Sequence, residues 1–401
     1  MMKYDVIIIG AGPAGLSFAC SLANTSLRVL VLDSSPLKSI ENPTEDGREI
    51  ALTHASLDSM REIGAWQHID KDDVAPICAA KVFDGDSAYS LSFDNDQADL
   101  EALGYLVPNH IIRQALYKAV KPLSNVTLRC DSQVTDLASC ESHAWVELSD
   151  ERIECDLLVS ADSRFSQTRR KMGIAASMND FSRSAIVCRM THSLPHHQTA
   201  LECFHYGRTL AVLPMQGNKS SIVVTVSSDE AESIQRLSDE QFSSDIQQRL
   251  KGQLGDMQLA GVRHLYPLVG VHAKRFISQR FAVIGDAAVG MHPVTAHGFN
   301  LGLRSQQTLA NEIIKAIEKG TDIGSMQLLE RYQRKHMLST RPMYHGTNLV
   351  VGLFTNDTFG AKVARKMTMR LANNLAPLKK AITAKLTEKN VPFFMKLPGL
   401  R

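Results

Sequence analysis

Over the first third of the chain the apolar positions fall in short unbroken runs. Tyr4–Ile9 is one such run, rich in β-branched residues, and reads as a buried parallel strand. A glycine turn follows, then a helical stretch over Ala14–Asn24 and a second buried strand over Arg28–Leu32. Strand, helix and strand form a βαβ unit opening a doubly wound sheet. Leu57, Met60 and Ile63 give Leu52–Trp66 helical spacing, and Ile111–Val120 reads the same way. Two strand-like runs in Lys81–Phe93 flank Asp84-Gly85, a hairpin signal. Val126–Cys130, Ala144–Leu148 and Asp156–Val159 predict strands.

The texture then changes. Ser184–Met190, Ala200–His205, Thr209–Leu213 and Ser220–Ser227 are short strands joined by turns, with no helices between them. That pattern predicts an antiparallel sheet. Phe281–Ile284 returns to the buried-strand pattern and Phe299–Glu318 reads as a helix. The expected fold is therefore α/β: a Rossmann-type nucleotide-binding domain with an inserted antiparallel-sheet substrate domain and C-terminal helices. The expected divisions are a discontinuous nucleotide domain at 1–75, 100–178 and 275–340, a sheet domain at 76–99 and 179–274, and a basic helical region at 341–401.

With 401 residues, 44% of them hydrophobic, the chain can build a sizeable core. Its net charge of +2 gives no nucleic-acid signature. The charge is uneven, however. Residues 358–401 hold ten Lys/Arg against one acid, Glu388, so that stretch is +9 and the rest of the chain is −7. Such asymmetry points the tail at an anionic surface. The seven cysteines are scattered, odd in number and without a CxxC pair, which predicts neither a disulfide framework nor a zinc site and suits a reducing cytoplasm. Asp5 interrupts the positive flank a signal peptide would need, and no apolar run approaches the ~20 residues of a spanning helix.

Three segments carry candidate chemistry. Gly10-Ala11-Gly12-Pro13-Ala14-Gly15 lies between strand and helix, with Asp33 and Ser34 closing the next strand. Gly10 permits a tight turn, Gly12 admits a pyrophosphate and Gly15 allows close helix packing; the helix N-terminus attracts phosphate. An acid at the Asp33 position suits a ribose hydroxyl and disfavours a 2′-phosphate, so FAD or NAD is expected there. The second segment, Asp162-Ser163-Arg164-Phe165-Ser166 with Arg169, follows a strand and reads equally as a helix cap. In the third, Gly285-Asp286-Ala287-Ala288, His292-Pro293 and Gly298-Phe299-Asn300 run from a strand end to a helix start. There Asp286 can accept from a ribityl hydroxyl, and the N–H groups of residues 298–300 can stabilise negative charge on a flavin edge.

As an ordered triplet these segments resemble the group A FAD-dependent aromatic hydroxylases, with the fold of p-hydroxybenzoate hydroxylase, and most of all the ubiquinone-biosynthesis hydroxylases. Arg48, Ala51-Leu52-Thr53, Ser56, Gly64-Ala65-Trp66, Asn109, Arg113, Leu116, Tyr266-Pro267-Leu268 and Gly302-Leu303-Arg304 extend the likeness across residues 4–355. The sequence departs from that family at Asp33 where Glu is usual, at Ser163 for Gly, at Val289 for His, and at Ala296-His297-Gly298 for Gly-Gln-Gly.

The resemblance implies the following roles. Gly10, Gly12, Pro13, Ala14, Gly15, Asp33 and Ser34 hold the ADP half of FAD; Arg48 and Arg113 reach the pyrophosphate and ribityl region, and Asp286 binds the ribityl chain. Asp162 joins the cofactor set, while Pro293, Gly298, Phe299 and Asn300 line the isoalloxazine. It further implies NADH or NADPH as electron donor, O2 as co-substrate and hydroxylation of a polyprenylated phenol or quinol in ubiquinone biosynthesis. Pro293 and His297 are the catalytic candidates, though a simply packed His297 fits as well.

An isoprenoid-reducing flavoenzyme and a non-catalytic flavoprotein subunit of a quinone-biosynthesis complex remain open, and the absence of a WxWxIP segment disfavours a halogenase. His192, His196, His197 and His205 match no metal-ligand spacing, so no metal is expected. In the tail Val363, Met367, Leu371, Leu375, Leu378, Ile382 and Leu386 recur at helical steps among basic residues, with Pro377 breaking the pattern. Either these helices pack on the body with a solvated basic face, or they meet anionic lipid or a partner protein, with Phe393-Phe394 beyond them. The expected location is cytoplasmic, peripheral to the inner membrane.

Overall fold

The computed structural model describes residues 3–388 apart from 86, 88, 96–99, 150, 206, 294–296 and 357. The strand Lys3–Ile9 sits at the centre of a parallel sheet. Val29–Leu32 flanks it on one side, followed by Val126–Arg129. Arg152–Ser160 and then Phe281–Val283 flank it on the other. Val6, Ile7 and Ile8 are fully buried in this sheet, as are all four residues of Val29–Leu32. Strands covered on both faces have no polar side to alternate with, which is why they read as continuous apolar runs. The helix Pro13–Ser21 and the long helix Gly298–Glu318 pack on the sheet through Leu16, Phe18, Leu301, Leu309 and Ile313. Asp136–Ser139 and Ala144–Glu147 hang from the Arg152–Ser160 strand as an antiparallel meander.

A second sheet is built on two long antiparallel strands, Ala176–His192 and Met257–Ala273. Lys219–Ser227, Arg208–Pro214 and Thr199–His205 follow in antiparallel order, then Ala79–Asp84, which joins in parallel, and Ser90–Asp94. One face of this sheet buries Ile186, Cys188, Cys203, Val212 and Val224 against two helices, Ser228–Gln235 and Asp239–Arg249. The sequence pattern predicts neither helix; both follow the strands it does predict over Ser184–Ser227. A small third sheet, Glu49–Leu52, Gly104–Pro108 and Ala75–Ile77, bridges the other two.

The helix Met326–Thr355 runs unbroken for 30 residues with Pro342 inside it. Together with the strand Ala176–His192 it passes through the divisions expected at 340 and 178. Two further helices close the described chain, Phe359–Asn374 and Ala376–Thr387, separated where Pro377 takes a first-turn position. Among the described residues, no helix is long and apolar enough to cross a membrane.

Candidate functional site

The strand Lys3–Ile9 delivers the chain to Gly10, whose φ of +109° suits glycine and strains other residues. A Cβ on Gly10 would also lie 2.5 Å from the Ala161 carbonyl oxygen. One turn into the following helix, a Cβ on Gly15 would overlap the Gly10 carbonyl. Gly12 differs, since a Cβ there would meet no atom within 4 Å. The protein's own packing needs Gly10 and Gly15 but not Gly12, which instead clears space before the helix N-terminus. Pro13 starts that helix, where its missing N–H costs nothing. The Asp33 carboxylate accepts hydrogen bonds from the Ala11 N–H at 2.6 Å and the Ser35 N–H at 2.7 Å. It thereby fastens the turn to the end of the second strand, with Ser34 exposed beside it.

The three sequence segments converge here. Ala161 abuts Gly10, and the Ala161 N–H donates to Ile9 at 2.8 Å. Gly285 has φ +59°, and a Cβ there would lie 2.5 Å from that of Ala14. The Arg164 guanidinium contacts Asp286 at 3.2 Å and the Val269 carbonyl at 3.4 Å. Arg169, almost wholly buried, donates to the Ala287 carbonyl at 2.7 Å. Asp162 accepts from the Ser160 hydroxyl at 2.6 Å. Asp286 keeps much of its carboxylate exposed beyond its contact with Arg164.

The helix Gly298–Glu318 begins after His297, which is buried. Space is open beside Gly298, where a Cβ would meet nothing within 4 Å. Asn300 fixes this helix start: its Oδ1 accepts from the Thr53 N–H at 3.2 Å and its Nδ2 donates to the Ala51 carbonyl at 2.9 Å. The first-turn N–H groups have no intrahelical acceptor, so this end attracts negative charge. His292 packs edge-on against Phe181 at 4.7 Å; burial lowers its pKa to about 4, which keeps it neutral near pH 7. Pro293 is exposed. Ala296, one of the family departures, lies outside the described residues.

Arg48 approaches from the small third sheet. It pairs with Asp46 at 2.6 Å and lies over the Tyr266 ring at 5.5 Å, while the Tyr266 hydroxyl donates to the Asp46 carbonyl at 2.8 Å. Asn109, at the start of the helix Asn109–Val120, also donates to the Asp46 carboxylate, at 2.8 Å. Arg113 is half-buried one turn further along.

Two features escaped the sequence reading. One is the Arg164–Asp286 pair. The other is Glu388, which folds back from the end of the last helix to accept from the Thr53 hydroxyl at 3.1 Å and to pair with Arg304 at 2.5 Å. Its standing as the lone acid of a basic tail was a usable signal. Elsewhere in the tail, Arg365 is buried and pairs with buried Asp84 at 3.1 Å, whereas Phe359, Val363, Met367, Leu371 and Leu375 are exposed. The apolar stripe thus faces outward. Leu386 is exposed too, and Ile382 is half-buried. Phe393-Phe394 lies outside the described residues. Of the histidines weighed as ligands, His192 bonds Leu194 and Ser220, and His196 bonds Met215. Among the described residues, no group of three or more His, Cys, Asp or Glu side chains is placed to hold a metal.

The arrangement fits FAD on its own geometry. Two helix N-termini each face space that a side chain on Gly12 or Gly298 would enter, and acids stand at the strand ends beside both.

A family model described as an FAD binding domain matches residues 3–343. The chain is 49% identical over 388 residues to the ubiquinone hydroxylase UbiM of Neisseria meningitidis, covering 96% of this chain and 84% of that one. It is 33% identical to the ubiquinone hydroxylase UbiL of Rhodospirillum rubrum, covering 94% and 87%. Among solved structures, p-nitrophenol 4-monooxygenase PnpA of Pseudomonas putida matches with a TM-score of 0.78 at 18% identity, covering 98% of this chain and all of that one. That last likeness is one of fold.

Proposed function

The chain belongs to the FAD-binding-domain family and, within it, to the ubiquinone hydroxylases, and from that premise we propose that it is an FAD-dependent monooxygenase hydroxylating the aromatic ring of a polyprenylated phenol or quinol in ubiquinone biosynthesis. The observation that carries this reading is the meeting of three distant segments at two helix N-termini with open space before each. When bound, FAD supplies electron transfer from NADH or NADPH and activates O2 for transfer of one oxygen atom to the ring.

The chain's own residues bind and orient. Gly12 leaves room for a pyrophosphate at the first helix, while Gly10, Pro13, Ala14 and Gly15 set its backbone. Asp33 and Ser34 lie at the ribose end, with Arg48, Arg113, Asp162 and Asp286 along the pyrophosphate and ribityl chain. The N-terminus of the helix Gly298–Glu318, with Phe299 and Asn300, holds negative charge at the flavin edge, which Pro293 and His297 flank. Neutral His292 with Phe181, and Tyr266 beside Arg48, wall the space between the parallel sheet and the antiparallel one.

A polyprenyl tail partitions into a bilayer, so the protein has to meet the substrate at a membrane surface. The exposed stripe Phe359, Val363, Met367, Leu371 and Leu375, flanked by Lys366 and Arg370, supports peripheral contact with an anionic leaflet.

The central test is oxygen uptake by the purified yellow protein with NAD(P)H and a short-chain prenylated phenol. Substrate-stimulated uptake with a product one oxygen atom heavier is expected. Loss of a substrate double bond without oxygen gain would indicate a reductase. Stoichiometric FAD with no substrate-stimulated NAD(P)H oxidation would indicate a non-catalytic subunit.

A further inference from the structure

The antiparallel sheet has two unlike faces. One buries Leu201, Cys203, Leu210 and Val212 against the helices Ser228–Gln235 and Asp239–Arg249. Side chains alternate along a strand, so Glu202, between Leu201 and Cys203, points the other way. The strand register fixes its neighbours on that inner face. Val82 lies on one side and Ala211, Val223 and Val187 succeed one another on the other. An acid thus stands in the middle of an apolar row.

That inner face looks toward the cofactor residues. Two places before Glu202, Ala200 packs on the cluster of Ala75, Ile77 and Leu106, on which Ala51 also packs; the Ala51 carbonyl is held by Asn300 at the start of the helix Gly298–Glu318. Two places after it, the Phe204 ring lies tilted against that of Phe354, 4.3 Å between centroids. The row ends on His264, which touches Gly47 beside Arg48. Glu202 therefore lies on the face of the antiparallel sheet that carries Ala200 at one end and His264 beside Gly47 at the other.

No hydrogen bond or ion pair among the described residues satisfies Glu202. It keeps some accessible surface. Set in an apolar row, its carboxyl group is largely dehydrated with no protein partner to offset the loss. Such a group is retained at a cost when a ligand completes it.

Resting on the functional reading above, we propose that Glu202 anchors the substrate ring, its carboxyl group hydrogen-bonding a ring hydroxyl of the phenol or quinol beneath the sheet. Burial alone pushes this carboxyl up to about 8, so near pH 7 it is mostly protonated and can both donate and accept. The apolar row around it suits a ring and an isoprenoid chain. A single polar group in an apolar pocket fixes which edge of the ring is held, and it selects against analogues that lack the hydroxyl.

The test uses the FAD-loaded protein with two probes, a short-chain prenylated phenol and its O-methyl ether. Binding is read from the perturbation of the flavin spectrum and turnover from KM and kcat. Wild type should prefer the phenol. Glu202→Leu should raise the Kd and KM for the phenol about ten-fold and bind both probes alike, as expected when one hydrogen bond to a buried group is lost. Glu202→Gln, which still hydrogen-bonds, should keep most of the preference. The leucine variant removes an unpartnered, largely dehydrated acid from an apolar row, so it should unfold at no lower denaturant concentration than wild type. A leucine variant that binds the phenol as wild type does, or still rejects the ether, overturns the anchor alone. A wild type that binds neither probe overturns the functional reading and the anchor with it.

Discussion

In the opening strand, Val6, Ile7 and Ile8 are fully buried, and its two charged residues, Lys3 and Asp5, lie outside the core, paired with Asp156 and Arg28. In the helix Phe359–Asn374 the arrangement is inverted: Phe359 is 84% exposed and Met367 60%, while Arg365 is 1% exposed against Asp84. Both segments carry a clear apolar pattern. In the first it marks contacts made within the chain, and in the second Met369 and Ala372 are buried beside Arg365 while the rest of the stripe stays exposed. Periodicity reports that a face is apolar and is silent on what covers it. Other evidence decides that, such as glycines whose Cβ positions collide with neighbouring backbone at one end of the chain and a +9 charge at the other.

The glycine turn gives the largest expected effect. Gly15→Val drives a side chain into the Gly10 carbonyl and should leave little folded protein, read by circular dichroism. Gly12→Val meets no protein atom at its Cβ and sits at an ordinary φ of −72°, so the fold should persist while FAD is lost. A folded Gly12→Val protein with normal flavin would show that this space is not the pyrophosphate site.

Next is the buried pair of the tail. Asp84→Ala removes the buried carboxylate that pairs with the Arg365 guanidinium and leaves its carbonyl contacts with Leu353, Phe354 and Asn356. Breaking one side of a buried ion pair costs about 3–5 kcal/mol, measurable as a fall in the urea midpoint. A loss below about 1 kcal/mol would mean that the rest of its buried face, Met369 and Ala372 included, holds the tail helix in place without this charge pair. The inward face of this helix would then not depend on its charge.

The legibility of the chain follows the range of its interactions. The βαβ unit and the hairpin at Asp84-Gly85 were readable because turn chemistry and periodicity act within about ten residues. The helix Ser228–Gln235 was not, since only Ala231 and Ile234 of its eight residues are buried. Asp239–Arg249 offered a local signal that went unread, the capping box of Ser238 with Gln241. Pro342 disguised the helix Met326–Thr355, yet the carbonyl it leaves without an N–H belongs to Leu338, which is exposed. In the site, residue types were legible from motifs. Pairings such as Arg164–Asp286, 122 residues apart, and Thr53–Glu388, 335 apart, were not, for only the tertiary fold brings them together.

The smallest expected change in stability belongs to the outward stripe, and it separates the two uses of apolar residues most sharply. Met367→Ser with Leu371→Ser alters side chains that touch little of the protein, so unfolding should shift by no more than about 0.5 kcal/mol. Comparable truncations at Ile7 or Ile8 should cost about 2–5 kcal/mol, because they open cavities in a packed core. Co-sedimentation with anionic liposomes should behave in the opposite way, falling for the serine pair and unchanged by any core variant that still folds. Each lysine near an anionic leaflet contributes about 1 kcal/mol, screened by salt, so charge reversal at Lys379, Lys380 and Lys385 should weaken binding and flatten its salt dependence. Equal binding to neutral and anionic liposomes would remove the electrostatic part of the argument. A serine pair that binds anionic liposomes as wild type does would remove the apolar part, and a protein partner in quinone biosynthesis would then be the better occupant of the stripe.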